Sequence, residues 1–193
     1  MDSTDPETQN SLGNALTALQ DFEEAEQLYR GAIATDASFV DAHYNLGNLL
    51  VRVGRPSDAE ASYREAVRLK PDFLSGLVCL GDLLVKLQRP GDAEAIYRAA
   101  IQQSPKHAEV LTSLGSTLSA LGQNDEAVAT LRTAISLNPH MPVAHCSLGT
   151  VLRQMRLHEE AKQCYQKAIE LKPDLAEAHN NLGAILNNLS EVE

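Results

Sequence analysis

The sequence predicts an all-α solenoid of stacked helix–turn–helix units. Three observations predict it. A glycine recurs every 34 residues, apolar residues inside each unit recur at helical spacing, and helix breakers fall at fixed offsets. The glycines are Gly13, Gly47, Gly81, Gly115, Gly149 and Gly183. Each follows a leucine, from Leu12 to Leu182, and each is followed three residues later by another, from Leu16 to Leu186. One segment is written three times with small changes: "AHYNLGNLL" from Ala42, "AHCSLGTVL" from Ala144 and "AHNNLGAIL" from Ala178.

The second half of each unit has its own signature. Twelve residues after the glycine comes an alanine: Ala25, Ala59, Ala93, Ala127 and Ala161. Four further on is a large residue, Tyr29, Tyr63, Tyr97, Leu131 and Tyr165, and three later another alanine, from Ala32 to Ala168. Pro71, Pro105, Pro139 and Pro173 then close the unit, with Ala37 in that place in the first. In the second unit the first helix is expected from about Val40 to Val53, ended by Gly54-Arg55-Pro56. Ser57 is expected to cap the next helix, which runs to about Lys70 because Pro71 cannot continue it. "GRPSDAE" recurs as "QRPGDAE", and "GQNDEAV" does the same in the fourth unit with Asn124 as the expected cap. Gly47 and Ala59 are small enough to let paired helices approach, and Tyr63 is expected to fill the gap to the next pair. The whole chain, 1–193, then reads as a single array. Its repeats are 6–39, 40–73, 74–107, 108–141 and 142–175, with a first or capping helix from 176.

A 34-residue helix–turn–helix unit with Leu-Gly, Ala, Tyr, Ala and Pro at these offsets resembles the tetratricopeptide repeat (TPR). The resemblance covers essentially the whole chain. It departs from the family pattern at two positions. The family's frequent Trp, four before the glycine, is Gln9, His43, Leu77, Leu111, His145 or His179, and its common Tyr three after the glycine is always Leu. Both positions still hold residues that pack between helices. The resemblance implies a right-handed superhelical solenoid of stacked helix–turn–helix TPR units, whose first helices line a concave groove.

By the same resemblance the groove residues sit two before, one after and five after each glycine. They are Asn14 in the first unit, beside Asn10. In the second they are Asn45, Asn48 and Arg52, flanked by Asp41 and Tyr44. The third unit gives Asp82 and Lys86 next to Cys79, and the last gives Asn181 and Asn188, flanked by Asn180 and Asn187. A side-chain amide both donates and accepts, so it pairs with the backbone of an extended peptide whatever its sequence. The enrichment is patchy, since Ser11, Ser113 and Ser147 fill the slot of Asn45 elsewhere. The lining is similar in part to the Asn-lined superhelix of O-linked N-acetylglucosamine transferases. A carboxylate clamp of the co-chaperone kind is not expected. Asn14 and Asn45 fill its two Asn slots, but Asn10, Ser75 and Cys79 stand where its cations are needed.

Charge and composition exclude other classes. The net charge is -10, and most of the excess lies at the two ends. No basic patch offers to neutralise a phosphate backbone or an anionic membrane, so neither nucleic acid nor membrane is an expected partner. Cys79, Cys146 and Cys164 form no CxxC and suit a reducing, cytoplasmic compartment. His43, His145 and His179 share one repeat position. Equivalent points on stacked helices lie too far apart for atoms that must each come within about 2.1 Å of one zinc ion. No metal, cofactor or catalytic group is expected. The paired acids Glu23-Glu24 and Glu159-Glu160 complement helix dipoles instead.

The expected function is a non-catalytic scaffold that holds a protein or peptide segment in the groove. The alternative is the substrate-recognition arm of a larger enzyme such as a glycosyltransferase or sulfotransferase. The last helix leaves Leu182, Ile185 and Leu186 covered on one side, which predicts self-association through the C-terminal end. Replacing Asn45 and Asn48 together by alanine is expected to weaken partner capture at unchanged helicity.

Overall fold

The computed structural model describes residues 5–190, with side chains through Leu186. The side chains of Asn187 and Asn188 lie outside the described residues. The chain divides into two compact units, residues 1–88 and 89–193.

The first unit holds α1 (Pro6–Leu19), α2 (Phe22–Thr35), α3 (Val40–Arg52), α4 (Pro56–Leu69) and α5 (Leu74–Lys86). Helices α1 and α2 pair, α3 and α4 pair, and α5 packs on α4. The second unit holds α6 (Pro90–Gln103), α7 (Ala108–Ala120), α8 (Asn124–Leu137), α9 (Pro142–Gln154), α10 (His158–Leu171) and α11 (Ala176–Ser190). There α7 pairs with α8 and α9 with α10, and α11 packs against α10.

The helix starts correct two expectations. Helix α4 begins at Pro56 with Arg55 at its cap position, and Ser57 lies inside it. Proline is preset for the first helical position, which makes Ser57 the second residue of the helix and not its cap. Likewise Gln123, not Asn124, stands at the cap of α8, and neither side chain caps the helix. Two side-chain caps are present elsewhere: Asp5 Oδ2 accepts from Thr8 N–H at 2.8 Å, and His107 Nδ1 accepts from Val110 N–H at 3.4 Å.

One backbone device recurs at the turns that follow the first helices. Gln20, Gly54, Gln88, Gly122 and Arg156 all have φ between 60° and 77° and stand 34 residues apart. The next N–H then reaches back to the first helix, as in Asp21 to Leu16 (2.9 Å), Arg55 to Leu50 (2.8 Å) and Leu157 to Leu152 (2.9 Å). This satisfies carbonyls that the helix end leaves open.

The paired helices meet through the small residues. The ten repeat alanines of the second helices, from Ala25 to Ala168, are fully buried. In the first, second, fourth and fifth repeats the large residue of the second helix lies over the glycine of the first. An added Cβ would meet the Tyr29 ring at 2.7 Å on Gly13, the Tyr63 ring at 2.6 Å on Gly47 and the Tyr165 ring at 2.8 Å on Gly149. Leu131 takes the same seat over Gly115. So the glycine is needed for a ring inside the pair, a closer role than filling the gap to the next pair. Gly183 has nothing within 4 Å of such a Cβ. Ile185, expected to be half covered, is fully buried, while Leu186 is 46% exposed.

Candidate functional site

Eight of the ten expected partner-binding residues lie in the first unit, on α1, α3 and α5. Asn14 is exposed on α1. Asp41 and Arg52 are exposed at the two ends of α3, with Tyr44, Asn45 and Asn48 half-buried between them. Asp82 and Lys86 are exposed on α5. The remaining two, Asn180 and Asn181, lie on α11 in the second unit, exposed and half-buried respectively.

The first unit ties these residues to one another and to the core. The Tyr29 hydroxyl donates to Asn14 Oδ1 at 2.8 Å, and the Tyr63 hydroxyl donates to Asn48 Oδ1 at 2.7 Å. Asn45 Nδ2 donates to Asn10 Oδ1 at 3.0 Å, so the buried Asn10 joins two first helices. Arg52 donates to the Thr17 carbonyl at 3.3 Å and lies 4.9 Å over the Phe22 ring, which fastens α3 to the end of α1. Tyr44 packs edge-on against Phe73 at 5.1 Å and sits 3.7 Å from the Cys79 sulfur.

This arrangement divides the expected residues by role. Asn14 and Asn48 use their carbonyl oxygens on buried tyrosines, which leaves their amide NH2 groups as the remaining donors. They therefore hold the fold as well as line the face. The signal was present in the sequence. In the four repeats whose second helix has Tyr, the residue after the glycine is an acceptor type, Asn14, Asn48, Asp82 or Thr150, and the Thr150 hydroxyl accepts from Tyr165 at 3.2 Å. Where Leu131 replaces Tyr, that residue is Ser116, which bonds Ser147 at 2.9 Å instead.

Between α3 and α5 lies a recess of about 110 Å³ walled by Val51, Tyr63, Cys79 and Leu83, with Asp82 and Lys86 at its rim. Burial pushes the Tyr63 phenol and the Cys79 thiol up from their ordinary pKa values, so both are neutral at physiological pH. The recess therefore offers an uncharged floor beside one carboxylate and one ammonium. Its volume suits one aliphatic side chain.

The three histidines of the repeat position play a structural part. His43 Nε2 lies 3.1 Å from the Ala37 carbonyl, His145 Nε2 3.0 Å from that of Pro139, and His179 Nε2 2.8 Å from that of Pro173. Each ring bonds the loop that leads into its own helix. Among the described residues no three His, Cys, Asp or Glu side chains converge as metal ligands, and no helix is long and apolar enough to cross a membrane.

Paired helices repeated at this period, with a polar face on the first helices, define a TPR repeat protein. The sequence profile of the cilia and flagella-associated protein 70 middle TPR-like domain matches residues 10–136, and a TPR repeat profile matches residues 158–189. The chain belongs to that TPR-like family. No curated protein sequence matches it. Among solved structures it is similar to YrrB, described as a TPR protein with an unusual peptide-binding site. The identity is 24% over 93% of this chain and 92% of that one, with a TM-score of 0.80. It is similar to MamA at 24% identity, covering 92% and 96%, also with a TM-score of 0.80. TTC0263, a thermophilic TPR protein from Thermus thermophilus, aligns at 23% identity over 94% and 98%, with a TM-score of 0.68. The fold class is thus the all-α TPR solenoid, a scaffold architecture for protein interaction.

Proposed function

We propose that the protein is a non-catalytic scaffold that binds an extended peptide or protein segment along its first-helix face. The observation that carries this reading is the polar face of the first unit. Asn14, Asn45 and Asn48 are held in place by the core, beside a recess of one side chain's volume edged by Asp82 and Lys86. Oriented amides bind a peptide backbone, and the recess adds selection at one side chain. YrrB, which shares the fold, has a peptide-binding site according to its description.

The 34-residue period runs unbroken across Gln88 and Arg89, which favours one array of repeats 6–39 to 142–175 with the helix from 176. Three free thiols suit a reducing cytoplasm. The exposed Leu186 and the open seat at Gly183 favour self-association through α11. Sedimentation that shows a strict monomer at high concentration removes that last element.

The groove is tested by panning a random peptide library on the native protein and on Asn45→Ala/Lys86→Ala. Asn48→Ala is a poorer variant, because it also strips the Tyr63 hydroxyl of its acceptor. Peptides that bind the native protein are expected to lose about tenfold or more in affinity to the variant. Equal affinity for both proteins contradicts the groove.

A further inference from the structure

A second recess, in the second unit, lies between the second helices α8 and α10 over the end of α9. Its volume is about 320 Å³, and its floor is Val128, Leu152, Met155 and Leu157. The carboxylates of Asp125 and Glu160 stand at its rim, with Arg132 reaching Glu160 at 3.2 Å. None of the Asn-bearing positions lines it.

The first unit shows what occupies the equivalent place. Three repeats earlier, the position of Leu157 holds Arg55, and the position of Val128 holds Glu26. Arg55 donates to Glu26 at 2.7 Å and also pairs with Asp58, the counterpart of Glu160. A cation thus lies between two carboxylates where the second unit has apolar side chains. At the first such pair within the second unit, Gln123 reaches Glu94 at 3.4 Å. At the next, both members become apolar together, Val128 and Leu157. The gap is then left open, and Leu157 remains 41% exposed.

We propose that this recess is a docking site for a partner segment carrying a large aliphatic side chain next to a lysine or arginine. The aliphatic chain lies on Val128, Met155 and Leu157. The cation lies against Asp125, the rim carboxylate that the Arg132–Glu160 pair leaves unpaired. The floor removes apolar surface from water on both partners, and the rim adds charge complementarity that fixes direction. The site goes beyond the peptide-binding face proposed above and does not depend on it.

The test uses the full chain with methyl-labelled Val, Leu and Met, titrated with the probe acetyl-Ser-Leu-Arg-Ser-amide. Saturable shifts are expected at Val128, Met155 and Leu157, with a Kd on the order of 1 mM for so small a ligand. Replacing the probe's Arg by Glu is expected to weaken binding about threefold or more, and the difference is expected to shrink as salt shortens the Debye length. Replacing its Leu by Ser is expected to abolish the shifts. Val128→Glu/Leu157→Arg rebuilds the ionic closure that the first unit already folds with, and is expected to remove binding at an unchanged circular-dichroism spectrum. Asn45→Ala/Lys86→Ala is expected to leave these shifts intact. Unmoved methyls through about 10 mM probe, or equal binding to the closed variant, overturn the proposal.

Discussion

Replacing Gly47 by alanine adds one methyl where Tyr63 already sits. The new Cβ would lie 2.6 Å from both Cδ1 and Cε1 of the ring and 3.1 Å from Cζ. Carbon atoms prefer about 3.5–4.0 Å, so the ring must retreat by roughly 1 Å. It has little room to do so. Tyr63 is 2% exposed, and its hydroxyl is fixed 2.7 Å from Asn48. Overpacking of this kind costs about 1–3 kcal/mol, while alanine in a helix interior returns about 1 kcal/mol relative to glycine. The expected net effect is a loss of ~0–2 kcal/mol in place of the ~1 kcal/mol gain that propensity alone would give, read from the urea midpoint at unchanged slope by far-ultraviolet circular dichroism. Gly183→Ala is the paired control, because nothing lies within 4 Å of its added methyl. Only the propensity term acts there, so α11 is expected to gain ~0.5–1 kcal/mol and exchange its amides more slowly. A Gly47→Ala protein more stable than the native one by ~1 kcal/mol, or a Gly183→Ala protein with a less protected α11, refutes the reasoning.

Three further outcomes are expected. Arg156→Gly relieves a left-handed residue (φ 63°) at the turn position that Gly54 and Gly122 fill elsewhere, and raises the thermal midpoint by the equivalent of ~0.5–1 kcal/mol. Tyr63→Phe leaves Asn48 without its donor and lowers stability by about 1 kcal/mol at unchanged helicity; no change in the urea midpoint contradicts the pairing. Burial pushes the Cys146 and Cys164 thiols up to about 11 from an ordinary value of 9.0. Between these values the unfolded chain has lost the protons that the folded chain keeps, so stability falls as pH rises through that window. Denaturation midpoints that stay level from about pH 8 to about pH 11 contradict this, with each pH checked for reversibility on return to neutral.

The period carried most of the fold. Glycine, alanine and proline at fixed offsets mark where helices touch and where they stop, and those constraints act within a few residues of the chain. The start of α1 at Pro6 and of α11 at Ala176 follow from them directly. The caps were less legible. Ser57 and Asn124 are good caps by residue type, but α4 starts one residue earlier, at Pro56, and α8 starts at Asn124 itself, so both lie inside their helices. The face itself was visible as a set of positions, while its internal bonding was not. That the Asn48 oxygen serves Tyr63, fifteen residues on, requires knowing which way the two helices turn toward each other. The histidines show the same limit. His43 could be read as a packing residue, but its bond to the carbonyl of Ala37 depends on how the loop folds back.

The most direct test of the central claim locates a bound peptide on the protein. Side-chain amide resonances of the asparagines report each candidate position separately when a peptide selected on the native protein is added. The account predicts that Asn14, Asn45 and Asn48 shift together with the backbone around Lys86, and that Asn45→Ala weakens the same peptide about tenfold. Shifts confined to the second helices or to α11, with the asparagines of α1 and α3 unmoved, contradict it.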